Sequence, residues 1–558
     1  MTDTNVSPGI ASASTVLEVQ TTTHGHAHHA HYHRPNMDAK PGLIGALLFG
    51  ALLIAGLAFV AYGLSTDIND AGGEPVAVAA FVLLGLALLI ALGFEFVNGF
   101  HDTANAVATV IYTRALPAQF AVVWSGMLNL IGVLTSSGAV AYTVVSLLPV
   151  ELILQVGSSA GFAMIFALLI AAIIWNLGTW ALGIPASSSH TLVGSIIGVG
   201  LANQFMDFNG DGTSGVDWGQ AMGVGRTLLV SPIFGFMMAA VLVVILKLVT
   251  NAMMKDNKLF TTPDGENPPP LLIRGLLILT CSLVSFFHGS NDGQKGMGLI
   301  MLILIGALPT AYALNRTMPA AEAPAFIAKM QAAQAVFQAH GNNITLTPDA
   351  ARVKVTDALK LRRFDETTFA GAASLAGDIA QQVQSNGEVR KIPAAAVQNV
   401  RNSMYLADEA VRLMPKTGFS ADEVKTLATF KSALDNGTKF IPWWVKVTVA
   451  IALGMGTMVG WKRIVVTVGE KIGKTHLTYG QGASAELTAA FTIAAADMYG
   501  LPVSTTHVLS SGIAGTMAAN GSGLRWATVR SIAMAWVLTL PAAMVLAGSL
   551  FYIFRTMF

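Results

Sequence analysis

The sequence predicts an all-α polytopic membrane protein built from two inverted repeats with discontinuous or re-entrant helices. Of its 558 residues, 53% are hydrophobic and only 11% are charged, whereas soluble domains carry about 25% charged residues. Two unusual polar motifs also occur twice, once in each half of the chain. Polar residues duplicated in matching order within an apolar chain are typical of a transport site at the interface of two structural repeats.

The apolar stretches are the first elements of this prediction. Most of them are long enough to cross a hydrocarbon core of about 30 Å. They occupy residues 42–63, 76–96, 120–145, 152–175, 227–249, 271–287, 443–459 and 527–554. With the motif segments and the stretch before Pro502, the prediction reaches about twelve membrane elements. The polar first residues lack the apolar core of a cleaved signal peptide, so the first stretch is expected to direct insertion.

The N-terminal domain, residues 1–40, is a polar tail that we expect to be disordered, because it has no periodic apolar face. It contains a cluster of histidines: His24, His26, His28, His29, His31 and His33. Neutral imidazoles bind divalent metals. The cluster therefore indicates either weak metal capture near the mouth of the protein or a low-complexity tail with incidental affinity. No firm metal site and no cofactor are expected in the chain.

The other domain boundaries follow from aligning the duplicated segments. The offsets are 190 for Asp102 with Asp292, 192 for Pro117 with Pro309, and 317 for His190 with His507. The rise from 192 to 317 places 125 extra residues in the second repeat. We therefore predict a first repeat with an extra N-terminal span at 41–250, a second repeat divided between 271–314 and 441–558, and an inserted hydrophilic helical domain at 315–440.

Charged residues near the spans predict the orientation and exclude one class of partner. Positive residues are grouped in two loops, with Lys247, Lys255, Lys258 and Arg274 in one and Lys462, Arg463, Lys471 and Lys474 in the other. Loops rich in lysine and arginine are usually cytoplasmic, which places the inserted domain on the opposite side of the bilayer. The net charge of +1 gives no electrostatic case for nucleic acid binding.

The first duplicated motif occupies residues 98–107 and 288–297 and places polar residues three apart, which puts them on one face of a helix. The pairs are Asp102 with Asn105 and Asp292 with Lys295, and each motif also contains a histidine, His101 or His288. A carboxylate inside a membrane needs a proton, a bound cation or a basic partner such as Lys295. Both histidines can titrate near neutral pH. The motif thus indicates a charged site at membrane depth.

The second duplicated motif occupies residues 185–190 and 502–507 and joins a proline to consecutive hydroxyls and a histidine. The hydroxyl residues are Ser187, Ser188, Ser189, Ser504, Thr505 and Thr506. Free N–H groups and hydroxyls at a helix N-terminus bind anions without an arginine. His190 and His507 either orient these hydroxyls or carry protons. The short, small-residue stretches that follow, 191–201 and 508–518, suit half-helices or re-entrant hairpins.

Three classes of function are compatible with these residues. A coupled carrier would bind an anion and a cation together. An intramembrane hydrolase would use Ser188 or Ser189 with His190 and Asp102, but adjacent serine and histidine side chains do not readily make a nucleophile–base contact, and an enzyme has no need of the set twice. A passive channel would not need titratable acids beside an anion site. The carrier is therefore favoured.

The same motifs resemble those of the PiT family of inorganic phosphate transporters, and they are similar to the bacterial low-affinity Pit type. The family's Gly-x-Asn-Asp-x-x-Asn-Ala signature corresponds to residues 99–106 in the first repeat and to 289–296 in the second. Together with the two hydroxyl–histidine segments, the resemblance covers residues 94–523 except for the inserted domain.

The resemblance implies a non-enzymatic symporter in the bacterial inner membrane that imports inorganic phosphate through a central site, usually as a homodimer. It places phosphate at three groups of residues: Asn105 and Asn291; Ser187, Ser188 and Ser189; and Ser504, Thr505 and Thr506. It places the coupling ion at Asp102 and Asp292. Bacterial relatives are also associated with neutral metal-phosphate, which makes divalent cations a further expected partner.

Two departures from the family pattern bear on the coupling ion. His101 stands where the first repeat has asparagine, and Lys295 stands where sodium-coupled members have asparagine. A fixed positive charge in place of a sodium ligand favours protons. We therefore predict proton coupling at Asp102, Asp292, Lys295 and His101, with His190, His507 and His288 in support. The alternative is a sulfate or sodium-coupled oxyanion symporter of the same fold.

Overall fold

The computed structural model describes residues 35–38, 42–71, 78–154, 156–206, 215–253, 257–263 and 267–557, without the side chains at 78–80 and 103–105. Within these ranges the regular elements are helices and no strand is present, so the all-α prediction is confirmed. The predicted disordered tail, residues 1–40, lies outside the described residues except for residues 35–38, and the histidines predicted to bind metal, within residues 24–33, all lie outside them.

The helices fall into a membrane part and an inserted domain. The membrane part contains α1 Leu43–Asp70, α2 Val78–Tyr112, α3 Ala118–Thr135, α4 Ala139–Val145, α5 Val150–Leu154, α6 Ser159–Ala181, α7 Ser188–Phe205, α8 Trp218–Met253, α9 Leu271–Ala307, α10 Pro309–Tyr312, α16 Trp443–Thr457, α17 Lys462–Val466, α18 Tyr479–Met498, α19 Thr505–Ala519 and α20 Trp526–Met557. The inserted domain contains α11 Ala323–His340, α12 Pro348–Leu361, α13 Glu366–Asn386, α14 Ala394–Leu413 and α15 Ala421–Thr438.

Seven of the described helices are long and apolar enough to cross a membrane: α1, α2, α3, α6, α8, α9 and α20. An eighth is reached only if α15 and α16, which meet at 75°, are counted as one span. The protein is therefore a multi-pass membrane protein. The other described helices of the membrane part do not meet these criteria of length and composition by themselves.

The helices that carry the first motif are continuous. α2 has 35 residues and α9 has 37, so each predicted stretch at 76–96 and 271–287 forms one helix with the motif that follows it. The motif glycines allow close packing rather than a break, since a Cβ added at Gly99 would lie 2.3 Å from the carbonyl oxygen of Leu453. The predicted stretch 120–145 instead forms two helices, because Gly138 adopts a φ of 90° between α3 and α4.

α7 and α19 are half-helices that point in opposite directions. After α6, and again after α18, a short extended segment leads into the next helix. The end of α7 meets α5, where Asn203 donates a hydrogen bond to Glu151, and α5 packs against the inserted domain. The end of α19 meets the end of α8, where Lys247 donates to Asn520. The two helix N-termini consequently face each other inside the protein.

Packing between the halves completes this inverted arrangement. α20 of the second half lies along α7, and α8 of the first half lies along α19. α2 and α9 are antiparallel, since Arg274 near the start of α9 donates to the carbonyl oxygen of Ala115, just beyond the end of α2, at 2.8 Å. The two copies of the first motif therefore meet from opposite directions.

The inserted domain has its own apolar core. Phe326, Met330 and Phe337 recur at helical spacing on α11, and all three are buried. Capping boxes start α13 at Asp365 and α15 at Ser420, where side-chain oxygens accept hydrogen bonds from otherwise unpaired backbone N–H groups. The domain is thus a helical unit inserted between α10 and α16 of the membrane part.

An ion-pair network joins the inserted domain to the membrane part at Asp217. Arg412 donates to Asp217 at 2.6 Å and to Glu409 at 2.5 Å, and Arg362 lies 3.2 Å from Asp217. Burial alone would raise the pKa of Asp217, but the hydrogen bond and positive charge of Arg412 outweigh burial and lower that pKa. A carboxylate with a lowered pKa loses its stabilising charge only in acid, so this contact persists at neutral pH.

Glycines set the crossing of α3 and α9. A Cβ added at Gly289 would lie 2.1 Å from the carbonyl oxygen of Asn129, and one added at Gly132 would lie 2.0 Å from that of Phe286. The two helices therefore touch backbone to backbone. This contact places His288, the neighbour of Gly289, close to the side chain of Asn129.

We expect Gly289→Ala to lower the stability of the protein, because overpacking a tight contact costs about 1–3 kcal/mol. The measurement is the temperature at which the purified protein loses its monodisperse size-exclusion peak. Gly275→Ala on the same helix is the matched control, since a Cβ there meets nothing within 4 Å. Equal transition temperatures for the two variants would contradict the close crossing.

Candidate functional site

Asp102 on α2 and Asp292 on α9 lie together in the interior. Their exposed fractions are 2% and 0%. A carboxylate oxygen of each and a ring nitrogen of His288 all lie within 4.8 Å of one another. The antiparallel packing of α2 and α9 brings the two copies of the first motif into one buried acidic site.

The hydroxyl motifs form the N-termini of α7 and α19 beside these acids. Ser187 and Ser504 are the N-cap residues, and their side chains accept hydrogen bonds from the backbone N–H groups of His190 and His507 at 3.2 Å. A cap of this kind satisfies one of the unpaired N–H groups at a helix start. The remaining partial positive charge favours an anion.

Hydroxyls from both half-helices converge on Asp102. Ser188 donates to Asp102 at 2.8 Å, and Thr506 donates to its other carboxylate oxygen. The Ser188 oxygen also lies 3.3 Å from Asp292. A serine hydroxyl has a single hydrogen, so the second contact becomes a good hydrogen bond only when one of the two carboxyl groups carries a proton. The geometry thus suits an acid pair that holds one proton.

Lys295 connects Asp292 to the start of α7. Its side chain is fully buried, and its Nζ lies 2.7 Å from Asp292 and donates to Ser189 at 2.6 Å. Ser189 in turn donates to the carbonyl oxygen of Val503, at 2.8 Å, just before α19. The lysine therefore neutralises one of the two acids and ties both repeats together.

Two histidines lie against the acids. His288 Nδ1 is 2.9 Å from the side-chain oxygen of Asn129, and its Nε2 is 3.6 Å from Asp292 and 4.0 Å from Asp102. His101 Nε2 is 3.1 Å from the Thr179 hydroxyl, and its Nδ1 is 3.6 Å from Asp102. Asp102 therefore lies between the imidazole rings of His101 and His288.

The other two histidines join the half-helices to each other. The rings of His190 and His507 lie 4.5 Å apart between centroids, and His507 stacks on Trp536 at 4.2 Å. His190 Nδ1 is 2.9 Å from the hydroxyl of Ser187. These contacts favour the role in which the histidines orient the hydroxyl segments.

Of the eight predicted phosphate ligands, only Ser188 and Thr506 have a described contact with the acids. Asn291 donates to the carbonyl oxygen of Leu501 at 3.1 Å and so holds the segment that leads into α19. The Thr505 hydroxyl is buried and has no hydrogen-bond partner among the residues that the structure describes. The side chain of Asn105 lies outside the described residues. Their contact with phosphate stays a prediction.

The acidic site also has the ligand types for a metal cation. Asp102, Asp292 and His288 each offer one ligand atom within the same 4.8 Å. Carboxylate oxygen and imidazole nitrogen suit divalent cations such as manganese and zinc. The arrangement can therefore hold either a proton or a cation between an anion and two acids.

Supporting residues lie on helices that the motifs do not include. Asn129 on α3 donates to Thr457 on α16 at 3.0 Å while it contacts His288. Asp497 on α18 accepts hydrogen bonds from Ser290 at 2.7 Å and from Gln294 at 2.6 Å. The importance of Asn129 and Asp497 could have been predicted from the sequence, because a polar residue within an apolar membrane stretch costs free energy and is usually functional. Their hydrogen-bond partners could not be predicted in the same way, because these depend on how the helices pack.

Two half-helix N-termini that meet buried acids on antiparallel helices define a membrane transporter with inverted repeats. Residues 98–547 match the phosphate transporter family, and the chain belongs to that family. Because this is a family of transporters, the hydrolase alternative is excluded.

Several relatives with similar sequences are named low-affinity inorganic phosphate transporters. The low-affinity inorganic phosphate transporter PitA of Escherichia coli (strain K12) is 42% identical over 490 residues, which cover 85% of this chain and 96% of PitA. PitB of the same strain is 40% identical over 487 residues, with the same coverage. A probable low-affinity inorganic phosphate transporter of Bacillus subtilis (strain 168) is 28% identical over 481 residues, 86% of this chain and 99% of the relative. The predicted resemblance to the Pit type is confirmed.

A solved structure entitled "The sodium-dependent phosphate transporter" is similar with a TM-score of 0.47 and 19% identity, and the match covers 86% of this chain and 100% of that one.

Proposed function

We propose that this chain is a secondary active symporter that imports inorganic phosphate together with protons across the bacterial inner membrane. The observation that carries the proposal is the convergence of the α7 and α19 N-termini on Asp102 and Asp292. Helix N-termini and hydroxyls bind phosphate without arginine. The names of the relatives PitA and PitB support phosphate as the substrate.

Coupling follows from the charges of the site. Lys295 neutralises Asp292 at 2.7 Å, but Asp102 has hydroxyl partners and titratable histidines around it. Phosphate is repelled from Asp102 while that carboxylate is ionised. A proton on the acid pair, or on His101 or His288, removes this repulsion, so the proton must bind before the anion and must travel with it.

Energy for uptake then comes from the proton gradient and the membrane potential. Each net positive charge carried inward gains about 2.3 kcal/mol per 100 mV. The two repeats rock against each other to expose the site to alternate sides. The inverted packing supports this step, because each half-helix packs along a long helix of the opposite half, α19 along α8 and α7 along α20.

Metal-phosphate is the second proposed form of the substrate. The grouping of Asp102, Asp292 and His288 within 4.8 Å favours it, since a divalent cation bound to phosphate would meet oxygen and imidazole ligands there. The phosphate would then face the hydroxyls of Ser188 and Thr506. The test of this form is uptake of radioactive manganese or zinc into proteoliposomes. We expect metal uptake to require phosphate, and metal and phosphate to enter in equal molar amounts.

The test of phosphate symport is uptake of radiolabelled phosphate into proteoliposomes with an imposed inward proton gradient. Accumulation above equilibrium that a protonophore abolishes is the expected result. Equilibration without accumulation would instead indicate a channel. Strong competition by unlabelled sulfate, or accumulation driven by sodium alone without a proton gradient, would favour the sulfate or sodium-coupled alternative.

A further inference from the structure

A cavity lies where the inserted domain meets the membrane part, and the site described above does not include it. Its walls come from α4, α5 and α9 of the membrane part and from α14 and the end of α15 of the inserted domain. Its volume is about 90 Å³. A buried water needs about 10–15 Å³ of such volume, so there is room for roughly six waters or one small tetrahedral anion. We call it the junction cavity; its lining includes Tyr142, Ile153, Gly298, Ile305, Arg401 and Lys439.

The junction cavity runs along α9 toward the central site. Gly298, Leu302 and Ile305 line it, and their spacing puts them on one face of that helix. Gly298 follows Lys295 by three residues, which is about 4.5 Å along a helix. The cavity therefore begins about one turn beyond the buried pair of Lys295 and Asp292, on the side of the inserted domain.

Arg401 on α14 places a buried positive charge at this cavity. Its exposed fraction is 8%. One guanidinium nitrogen, Nη1, donates to the carbonyl oxygen of Ile153 at 3.2 Å and to the side-chain oxygen of Asn402 at 3.1 Å. Its Nε and Nη2 groups have no hydrogen-bond partner in the part of the chain that the structure describes. They are therefore free to bind a ligand in the cavity.

The other charged groups around the cavity neutralise one another. One cluster contains two lysines and two aspartates, and the other contains two arginines, one aspartate and one glutamate. The members are Lys431 and Lys439 with Asp408 and Asp435, and Arg362 and Arg412 with Asp217 and Glu409. Within the described ranges, Arg401 is thus left without a counter-ion.

A buried cation without a counter-ion is unfavourable. Burial lowers the pKa of Arg401, and the nearby Tyr405 offsets only part of this effect. The guanidinium centre lies 5.3 Å from the centre of the Tyr405 ring, which supplies π-electrons but no negative charge. Arginine stays protonated in proteins. The missing negative charge must therefore come from an anion that enters the cavity.

Tyr405 adds a second donor to the same cavity. It lines the cavity, and its hydroxyl has no hydrogen-bond partner among the described residues. Burial and the negative charge of Glu409 raise the pKa of Tyr405, so the hydroxyl keeps its hydrogen and can donate it. The guanidinium and the phenol together match a ligand that accepts several hydrogen bonds.

We propose that the junction cavity is a second binding site for inorganic phosphate, which Arg401 and Tyr405 hold before it passes to the central site. Two N–H groups of an arginine match two oxygens of a phosphate in parallel hydrogen bonds. The distribution of positive residues places this side of the protein opposite the cytoplasm, where import begins. The inference rests on the proposed import of phosphate.

Contact between α4 and α9 separates the two phosphate sites in the state described here. A Cβ added at Gly298 would lie 2.7 Å from the carbonyl oxygen of Ala141, and the backbone N–H of Val140 donates to the side chain of Gln294 at 2.9 Å. α4 belongs to the first repeat and α9 to the second. The proposed rocking of one repeat against the other therefore opens the path between the sites.

The test counts the phosphate sites on the purified full-length protein. Equilibrium dialysis with radiolabelled phosphate, at a concentration that just saturates the wild type, measures the phosphate bound per chain. We expect two sites in the wild type and one in Arg401→Gln, because loss of hydrogen bonds to a charged ligand weakens binding at least about tenfold. The double variant Ser188→Ala with Thr506→Ala, which removes hydroxyls of the central site, should also keep one.

The controls distinguish failure of this inference from failure of the proposed function. Arg363→Gln changes an exposed arginine of the inserted domain and should keep both sites. A single wild-type site that the double hydroxyl variant loses and Arg401→Gln keeps would overturn the inference alone. Phospholipid that co-purifies with the wild type but not with Arg401→Gln would assign the cavity to a lipid headgroup and also overturn it. Absence of phosphate binding in the wild type would overturn the proposed function itself.

A second variant covers the case in which Arg401→Gln does not fold. Tyr405→Phe keeps the ring beside the guanidinium and removes only the hydroxyl. We expect one of the two phosphates to bind about tenfold more weakly, while the transition temperature in size-exclusion without phosphate stays that of the wild type. Wild-type affinity at both sites in Tyr405→Phe would overturn the inference. A lowered transition temperature of Arg401→Gln together with wild-type phosphate binding would assign the arginine to the fold and overturn it as well.

Discussion

Asp102→Asn is expected to abolish proton-driven accumulation of phosphate in proteoliposomes. Asparagine has nearly the same shape, and its amide oxygen can still accept a hydrogen bond from one of the two hydroxyls, of Ser188 or Thr506, that now donate to the carboxylate. The variant, however, cannot bind or release a proton at this position. We expect accumulation to fall at least about tenfold, which corresponds to 1.4 kcal/mol or more of lost driving force.

The matched control is Asp70→Asn, the same substitution at an exposed position on α1. It should accumulate phosphate like the wild type, and both variants should give the same size-exclusion peak. Phosphate exchange measured in parallel shows whether Asp102→Asn still binds its substrate. Accumulation by Asp102→Asn that remains sensitive to a protonophore would remove Asp102 from the coupling mechanism.

The sequence predicted the centre of the site better than it predicted the helices around it. Duplication of a carboxylate and of three hydroxyls implies a shared site, because inverted repeats bring equivalent positions to a common centre. Asp102, Asp292 and Ser188 do meet there. The half-helices α7 and α19 were also predictable, since a proline and capping hydroxyls start a helix that is too short to span the membrane.

Continuity of α2 and α9 could not be read from the motif. Glycine at membrane depth is compatible with a helix break and with close helix packing, and only the position of the neighbouring backbone decides between them. At Gly99 and Gly289 that neighbour is a carbonyl oxygen of another helix. The contacts of Asn129 with His288 and of Gln294 with Asp497 likewise depend on which helix faces join, and these faces are set by packing across the two repeats.

Lys295→Met is the second substitution with a large expected effect, and it should reduce both stability and transport. The lysine is fully buried, pairs with Asp292 and donates to Ser189. Removing one partner of a buried ion pair leaves an uncompensated charge and costs about 3–5 kcal/mol. We expect a clearly lower transition temperature in size-exclusion and uptake at the level of empty liposomes.

The double variant Asp292→Asn with Lys295→Met separates these two effects. Replacing both members of a buried ion pair with neutral groups of similar volume is often close to neutral for stability, so the transition temperature should recover toward that of the wild type. Proton-driven accumulation should stay absent, because the proposed symport needs a protonatable acid at Asp292 and the double variant has none there. If the double variant recovers stability and accumulation together, the Asp292–Lys295 pair at 2.7 Å serves the fold alone. Coupling must then reside in Asp102 and the histidines that face it.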